Sequence, residues 1–91
     1  MLVGLTLKLI GEVQGVNFRY YTAAQARRLK LTGWVRNARD GSVTIVAEGE
    51  RANLEQLRDW CRQGPATAQV RELVEQWGRA EGEFGQFEIR W

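Results

Sequence analysis

The chain has 91 residues, of which 44% are hydrophobic and 26% are charged, and its formal net charge is +2 at pH 7. These values are typical of one folded domain with a modest core and exclude a disordered chain. The charge is too balanced to indicate nucleic acid or membrane binding. No stretch approaches the ~20 apolar residues of a membrane-spanning helix, and the N-terminus lacks a signal-peptide pattern. We therefore expect a single domain over residues 1–91, in the cytoplasm, with no membrane partner.

Two residue types limit the chemistry. The chain contains no histidine, which excludes histidine general bases, Ser–His nucleophiles and histidine-ligated metals. Cys61 is the only cysteine, so neither an internal disulfide nor a cysteine cluster for zinc can form. We expect Cys61 to be a buried structural thiol, as most free cysteines are. Any chemistry must therefore use arginine, amides, hydroxyls, carboxylates and the backbone.

Periodicity and turn residues predict a sequence of strands and helices. Alternating apolar residues indicate strands, and the stretch after Phe18 lacks Gly and Pro and is rich in helix formers. Asp40-Gly41 is a strong hairpin signal, and Gly64 followed by Pro65 ends the second helix. The predicted elements are a strand over Val3–Leu9, a helix over Phe18–Leu31 broken by Thr32-Gly33, strands over Trp34–Asn37 and Ser42–Glu48, a helix from about Glu50 to Arg62, and strands over Val70–Trp77 and Phe87–Trp91.

This β-α-β-β-α-β-β order predicts an α+β, ferredoxin-like sandwich. Two helices can cover only one face of such a small sheet, and the tight hairpin makes the sheet mainly antiparallel. On the first helix, Phe18, Tyr21, Thr22, Gln25 and Leu29 recur at helical spacing and are expected to face the core. We also expect Trp60 to be partly exposed and Trp91 to pack in the core. The fold itself does not select a function.

The segment from Gln14 to Asn17 places a run of backbone N–H groups just before a predicted helix N-terminus. Such a run suits an anion, because the N–H groups and the positive end of the helix dipole point the same way. Arg19 follows, and its guanidinium can bind two phosphate oxygens at once. A strand–turn–helix junction in which Gly15 only permits a positive φ explains the same residues. This segment alone leaves both interpretations open.

Two sequence blocks together carry a family resemblance. Gly11-x-Val13-Gln14-Gly15-Val16-x-Phe18-Arg19 closely resembles the first signature of the acylphosphatase family. Gly33-Trp34-Val35-Arg36-Asn37-x-x-x-Gly41-x-Val43, with Glu48-Gly49 beyond it, resembles the second. The spacing of the blocks, the length and the final Phe87-x-Ile89-Arg90-Trp91 are also similar to the family. The resemblance therefore extends over essentially the whole chain.

The resemblance implies hydrolysis of a carboxyl–phosphate anhydride to a carboxylate and inorganic phosphate. It implies that Arg19 binds the substrate phosphate and that Asn37 positions the attacking water. It also implies a phosphate cradle of backbone N–H groups from Gln14, Gly15, Val16, Asn17, Phe18 and Arg19. No metal, no cofactor and no covalent intermediate is expected. The expected partners are a small acyl phosphate and product-like phosphate or sulfate, without nucleic acid, and the expected state is a monomer.

The residue types agree with this chemistry. Arginine stays protonated and asparagine does not titrate, so neither can protonate a leaving group. A carboxylate, with a reference pKa near ~4, departs without such help, whereas an alkoxide does not. Positioning and charge stabilisation are the main needs of phosphoryl transfer, and an arginine with a backbone cradle meets them. The sequence therefore favours acyl phosphates over ordinary phosphate esters.

Other interpretations remain from the sequence. An RNA-binding module of the RRM type shares the fold, but the predicted strand Ser42–Glu48 carries no aromatic residue for base stacking. A metal carrier of this fold would need a cysteine pair. A domain of a larger carbamoyl-transfer protein and a non-catalytic binding relative are the nearer alternatives, although a chain from Met1 to a last strand suggests a free-standing protein. Asn37 by itself also fits a turn residue.

Overall fold

Five strands form one sheet, and two helices connect them. The computed structural model describes residues 2–91. The elements are β1 (Leu2–Glu12), α1 (Phe18–Arg28), β2 (Thr32–Asn37), β3 (Val43–Glu50), α2 (Arg51–Gln63), β4 (Gln69–Arg79) and β5 (Phe87–Arg90). The strands lie in the order β4-β1-β3-β2-β5, so β3 is the middle strand. β1 pairs antiparallel with β3 and β4, β2 pairs antiparallel with β3, and β5 is parallel to β2. The expected ferredoxin-like α+β fold is confirmed.

The core forms between the helices and one face of the sheet. On β1, Leu5, Leu7 and Leu9 are buried, while the residues between them lie on the other face. Burial of each leucine stabilises the fold by about 2 kcal/mol. Leu54, Leu57 and Cys61 of α2 are also fully buried. Cys61 is buried as expected, and this burial raises the pKa of its thiol.

Helix α1 ends earlier than the sequence predicted. Its last helical residue is Arg28, because Lys30 adopts a left-handed conformation with φ of 59°. The Lys30 N–H donates to the Arg27 carbonyl at 3.1 Å, and the Leu31 N–H donates to the Ala26 carbonyl at 2.9 Å. These two hydrogen bonds form a Schellman motif, which commonly uses glycine at the left-handed position. Thr32-Gly33, which was predicted to break the helix, instead begins β2.

The buried face of α1 agrees with the prediction at Phe18, Thr22 and Leu29. It differs at Tyr21, which is exposed, and at Gln25, which is half-buried. Their places in the core are taken by Ala23 and Ala26, whose small side chains allow the helix to lie close to the sheet. Trp60 is half-buried, as expected, and its ring packs edge-to-face on Phe18 with centroids 5.7 Å apart.

The remaining boundaries agree with the predictions to within a few residues. The Asp40-Gly41 hairpin is confirmed, and the Asp40 carboxylate accepts hydrogen bonds from the Ser42 N–H at 3.0 Å and the Ser42 hydroxyl at 2.5 Å. β4 runs through Gly78 to Arg79, so the predicted turn begins later. The segment after β4 is held by Glu48, whose carboxylate accepts the N–H groups of Glu81 and Gly82 at 2.5 and 3.1 Å. Neither helix within residues 2–91 is long and apolar enough to span a membrane.

Candidate active site

The segment between β1 and α1 presents a row of free backbone donors. β1 ends in a register shift at Gly11, where φ is 140° and a side chain would collide with the Gln69 backbone. Gly15 and Asn17 then take left-handed conformations with φ of 77° and 63°. Within residues 2–91, the N–H groups of residues 15–20 donate no hydrogen bond. Turns of this kind form concave N–H nests that bind anions.

Asn17 is the N-cap of α1, but its side chain makes no capping hydrogen bond. The first turn of α1 contains no acidic residue. The positive end of the helix dipole therefore faces the nest without a carboxylate from the same turn to neutralise it.

Arg19 lies in this first turn and is held by the end of the chain. Its Nη1 donates to the Arg90 carbonyl at 3.0 Å, and its Cζ lies 4.0 Å from the Trp91 ring centroid. Its Nε and Nη2 make no hydrogen bond within residues 2–91. These two atoms form one edge of the planar guanidinium, which matches two oxygens of a phosphate. One edge of Arg19 is thus used for positioning and the other is free.

Asn37 is the last residue of β2. Its backbone pairs with Val43, and the hairpin turn begins only after it, where the Ala38 N–H donates to the Ser42 carbonyl at 2.8 Å. The half-buried Asn37 side chain makes no hydrogen bond within the described chain. A turn-stabilising role would require such a bond, so the interpretation of Asn37 as a turn residue loses its support.

Arg19 and Asn37 line the same cleft, which has a volume of about 500 Å³. Of the predicted phosphate-cradle residues, Gly15, Asn17, Phe18 and Arg19 line this cleft. Val16 and Gln14 do not, although Val16 lies between two lining residues. The other lining residues are Val13, Tyr20, Tyr21, Ile89 and Trp91. The lining therefore contains a cation, an amide, tyrosines and backbone donors but, among the described residues, no Asp or Glu side chain.

Gln14 has a role that the sequence analysis missed. Its side-chain Nε2 donates to the Ala38 carbonyl at 2.7 Å and to the Ser42 carbonyl at 2.9 Å. The side chain therefore ties the phosphate-cradle segment to the hairpin that carries Asn37. The sequence predicted only a backbone contribution from Gln14, because the two carbonyls lie 24 and 28 residues away in the chain.

The prediction that Trp91 packs in the core is wrong. Trp91 is 93% exposed, and it follows β5, an edge strand. Alternation with Phe87 and Ile89 indicated the helix-facing side of the sheet correctly. At this edge, however, the group above the ring is the Arg19 guanidinium rather than an apolar side chain.

Within residues 2–91, no group of three or more His, Cys, Asp or Glu side chains is arranged to hold a metal ion. The candidate site therefore consists of Arg19, Asn37 and the N–H groups that open α1.

Comparison with known proteins identifies the family. The acylphosphatase family model matches residues 5–89. An acylphosphatase from Anaeromyxobacter sp. (strain Fw109-5) is 50% identical over 80 residues, which cover 88% of this chain and 86% of that protein. The crystal structure of acylphosphatase from Bacillus subtilis superposes with a TM-score of 0.94 at 31% identity, covering 98% of this chain and 99% of that chain. An acylphosphatase from Coxiella burnetii superposes with a TM-score of 0.92 at 35% identity, covering 98% and 93%. The chain therefore belongs to the acylphosphatase family and is an enzyme that hydrolyses acyl phosphates.

Proposed function

We propose that Arg19 and the N–H groups of residues 14–19 bind the phosphate of the substrate and that Asn37 positions the water that attacks it. The observation that carries this proposal is the shared cleft, in which the free edge of Arg19, unpaired backbone donors and the unpaired Asn37 amide converge. The phosphate oxygens accept hydrogen bonds from the backbone nest and from Nε and Nη2 of Arg19. The α1 dipole adds favourable interaction with the negative charge.

The Asn37 side chain can orient a water molecule in two ways. Its carbonyl oxygen accepts a hydrogen bond from the water, and its NH₂ group donates one. The water oxygen forms a bond to phosphorus while the bond between phosphorus and the acyl oxygen breaks in line. Among the residues that the structure describes, no Asp or Glu side chain lines the cleft to accept the water proton, so this proton passes to an oxygen of the transferring phosphoryl group. The products are a carboxylate and dihydrogen phosphate.

The leaving group defines the substrate class. A carboxylate departs as a stable anion, so a site that lacks a strong proton donor is sufficient for an acyl phosphate. A sugar phosphate or other alkyl phosphate would release an alkoxide, which needs protonation. We therefore expect little hydrolysis of alkyl phosphate monoesters, and full activity on acyl phosphates in excess EDTA.

One experiment distinguishes the proposed role of Arg19 from that of Asn37. The measured quantities are kcat, the inhibition constant of inorganic phosphate and Tm, each for wild type, Arg19→Lys and Asn37→Ala. Arg19→Lys should lower kcat at least 10²-fold and weaken phosphate inhibition, because lysine offers a point charge in place of two directed donors. Asn37→Ala should lower kcat while phosphate inhibition stays close to wild type, since the amide holds water and not the anion.

Arg27, on the same helix as Arg19, provides a matched control. Arg27 also lies on α1, but its Nε and Nη2 donate to the Phe87 carbonyl at 3.2 and 3.0 Å, away from the cleft. Arg27→Lys should therefore change Tm more than it changes phosphate inhibition. If Asn37→Ala has the kcat of wild type, Asn37 is not part of the site. If Arg19→Lys binds phosphate as tightly as wild type, the anion lies elsewhere.

We further propose that residues 1–91 form a single catalytic domain, for which the family match over residues 5–89 is the support. Phosphate and sulfate should act as product-like ligands of this domain. The monomeric state and the cytoplasmic location expected from the sequence stay predictions. Sedimentation equilibrium measures the first, and fractionation of the source cells measures the second.

A further inference from the structure

The cleft is larger than its anion end requires. A phosphate has five heavy atoms, which occupy roughly 150 Å³ if each takes about the volume of one water molecule. The cleft encloses about 500 Å³. More than half of its volume therefore lies beyond the phosphate, in the region that the acyl group of the substrate must enter.

Aromatic side chains surround this extra volume. The large hydrophobic residues that are exposed within residues 2–91 are Leu2, Tyr20, Tyr21, Val74 and Trp91. Three of them, Tyr20, Tyr21 and Trp91, line this one cleft. Single exposed apolar residues are ordinary on protein surfaces, but a cluster around a binding cleft indicates a ligand contact.

The position of the aromatic residues agrees with the direction of the reaction. In-line displacement directs the acyl oxygen away from the water that Asn37 holds. The acyl group therefore lies along the walls that Asn37 does not supply. Those walls are the first turn of α1, which carries Tyr20 and Tyr21, and the end of β5, where Ile89 and Trp91 lie.

Tyr20 and Tyr21 already form an edge-to-face pair, with ring centroids 5.5 Å apart and an interplanar angle of 74°. Tyr20 is 64% exposed, so one face of its ring is open to solvent. A planar ring bound there would gain aromatic contacts without displacing a core residue. Such contacts strengthen binding by roughly two- to tenfold for each ring.

We propose that this aromatic wall (Tyr20, Tyr21 and Trp91) is an acyl-group subsite that selects acyl phosphates with a planar aromatic acyl group. This inference rests on the proposed orientation of the substrate in the cleft. An acetyl or carbamoyl group has no ring to pack on the aromatic wall, so it gains less from Tyr20 and Tyr21 than a planar aromatic acyl group does. The enzyme therefore discriminates by the acyl group as well as by the phosphate.

The test uses two readouts, so that this inference and the proposed function fail separately. The first is kcat/KM for benzoyl phosphate and acetyl phosphate with wild type, Tyr20→Ala and Tyr20→Phe. Tyr20→Ala should lower the benzoyl-to-acetyl ratio of kcat/KM by roughly two- to tenfold, and Tyr20→Phe should keep it. Taking the ratio between variants cancels the intrinsic reactivities of the two substrates. Val74→Ala, an exposed apolar residue of β4 outside the cleft, should leave the ratio unchanged.

The second readout needs no turnover. Phenylphosphonate should bind wild type several-fold more tightly than methylphosphonate in calorimetry, and Tyr20→Ala should reduce that difference while inorganic phosphate binds as before. Equal binding of the two phosphonates, or an unchanged benzoyl-to-acetyl ratio in Tyr20→Ala, would overturn the acyl subsite. If the phosphonates behave as expected but wild type does not hydrolyse either acyl phosphate, the subsite stands and the proposed reaction fails.

Discussion

Replacement of Gln14 by methionine should separate the phosphate cradle from the hairpin that carries Asn37. Methionine has nearly the same length but no N–H donor, so Gln14→Met removes the hydrogen bonds to the Ala38 and Ser42 carbonyls. We expect Gly15 and Asn17 to keep their left-handed conformations, since neither residue takes part in these bonds. The anion cradle should therefore persist, while its distance from Asn37 is no longer held.

The stability cost follows from the partners that remain. The Ala38 carbonyl still accepts the Gly41 N–H at 3.2 Å, and the Ser42 carbonyl still accepts the Ala38 N–H at 2.8 Å. Neither carbonyl is left without a donor, so the loss is that of two ordinary hydrogen bonds, about 1–2 kcal/mol. For a domain of this size the free-energy change corresponds to a decrease in Tm of roughly 4–16 °C.

The kinetic effect should be larger than the stability effect suggests. Misplacement of a reacting group by about 1 Å can lower a rate on the order of 10²-fold, so we expect kcat to fall at least tenfold well below Tm. The inhibition constant of phosphate should change little. Gln25→Ala is the control, because Gln25 accepts a hydrogen bond from Arg28 at 2.9 Å on the exposed side of α1. A Gln14→Met protein with lower Tm but unchanged kcat would refute the positioning role.

Two further predictions concern stability. Thr22→Val should raise Tm, because the buried Thr22 hydroxyl has no hydrogen-bond partner within residues 2–91 and valine has the same shape. Thr22→Ala should lower Tm, because it leaves a cavity. A Tm of Thr22→Val below that of wild type would contradict this prediction. The hydrogen bonds from Ser42 and the nearby Lys8 hold the pKa of Asp40 well below its ordinary 3.8, so its contribution to stability is present above that value and is lost as the pH falls further. Urea unfolding at about pH 7, about pH 4 and about pH 2 should therefore show a stability difference between wild type and Asp40→Asn that changes little between the first two values and is smaller at about pH 2, and a difference that does not decrease at about pH 2 would refute the assignment.

The parts of the fold that could be predicted from the sequence are mostly those that depend on local sequence patterns. The alternation in β1, the Asp40-Gly41 turn and the Gly64 helix end depend on residues close together in the chain, so they could be identified from the sequence. The end of α1 could not, because a lysine adopts the left-handed conformation that a sequence pattern assigns to glycine. Leu31, the next residue, is buried in the core, which is a tertiary contact that no short sequence pattern specifies.

In the candidate site, too, the sequence predicted the residues but not the contacts between distant parts of the chain. Sequence blocks predicted Arg19 and Asn37, and both residues line one cleft. The sequence did not predict the contacts of Arg19 with Arg90 and Trp91, because these residues are more than 70 positions away in the chain. Their approach depends on the parallel pairing of β5 with β2, which no short pattern specifies.

The edge position of β5 has a consequence for local unfolding. β5 has four residues and pairs with only one neighbour, β2. Short strands at a sheet edge detach at a lower free energy than the global unfolding of the domain. Detachment of β5 would remove the Arg90 carbonyl from Arg19, open the cleft beside Ile89 and withdraw Phe87 from the core, while β1 and β3 stay paired. The position of Arg19 therefore depends on the docking of β5 at this edge of the sheet as well as on the helix that carries Arg19.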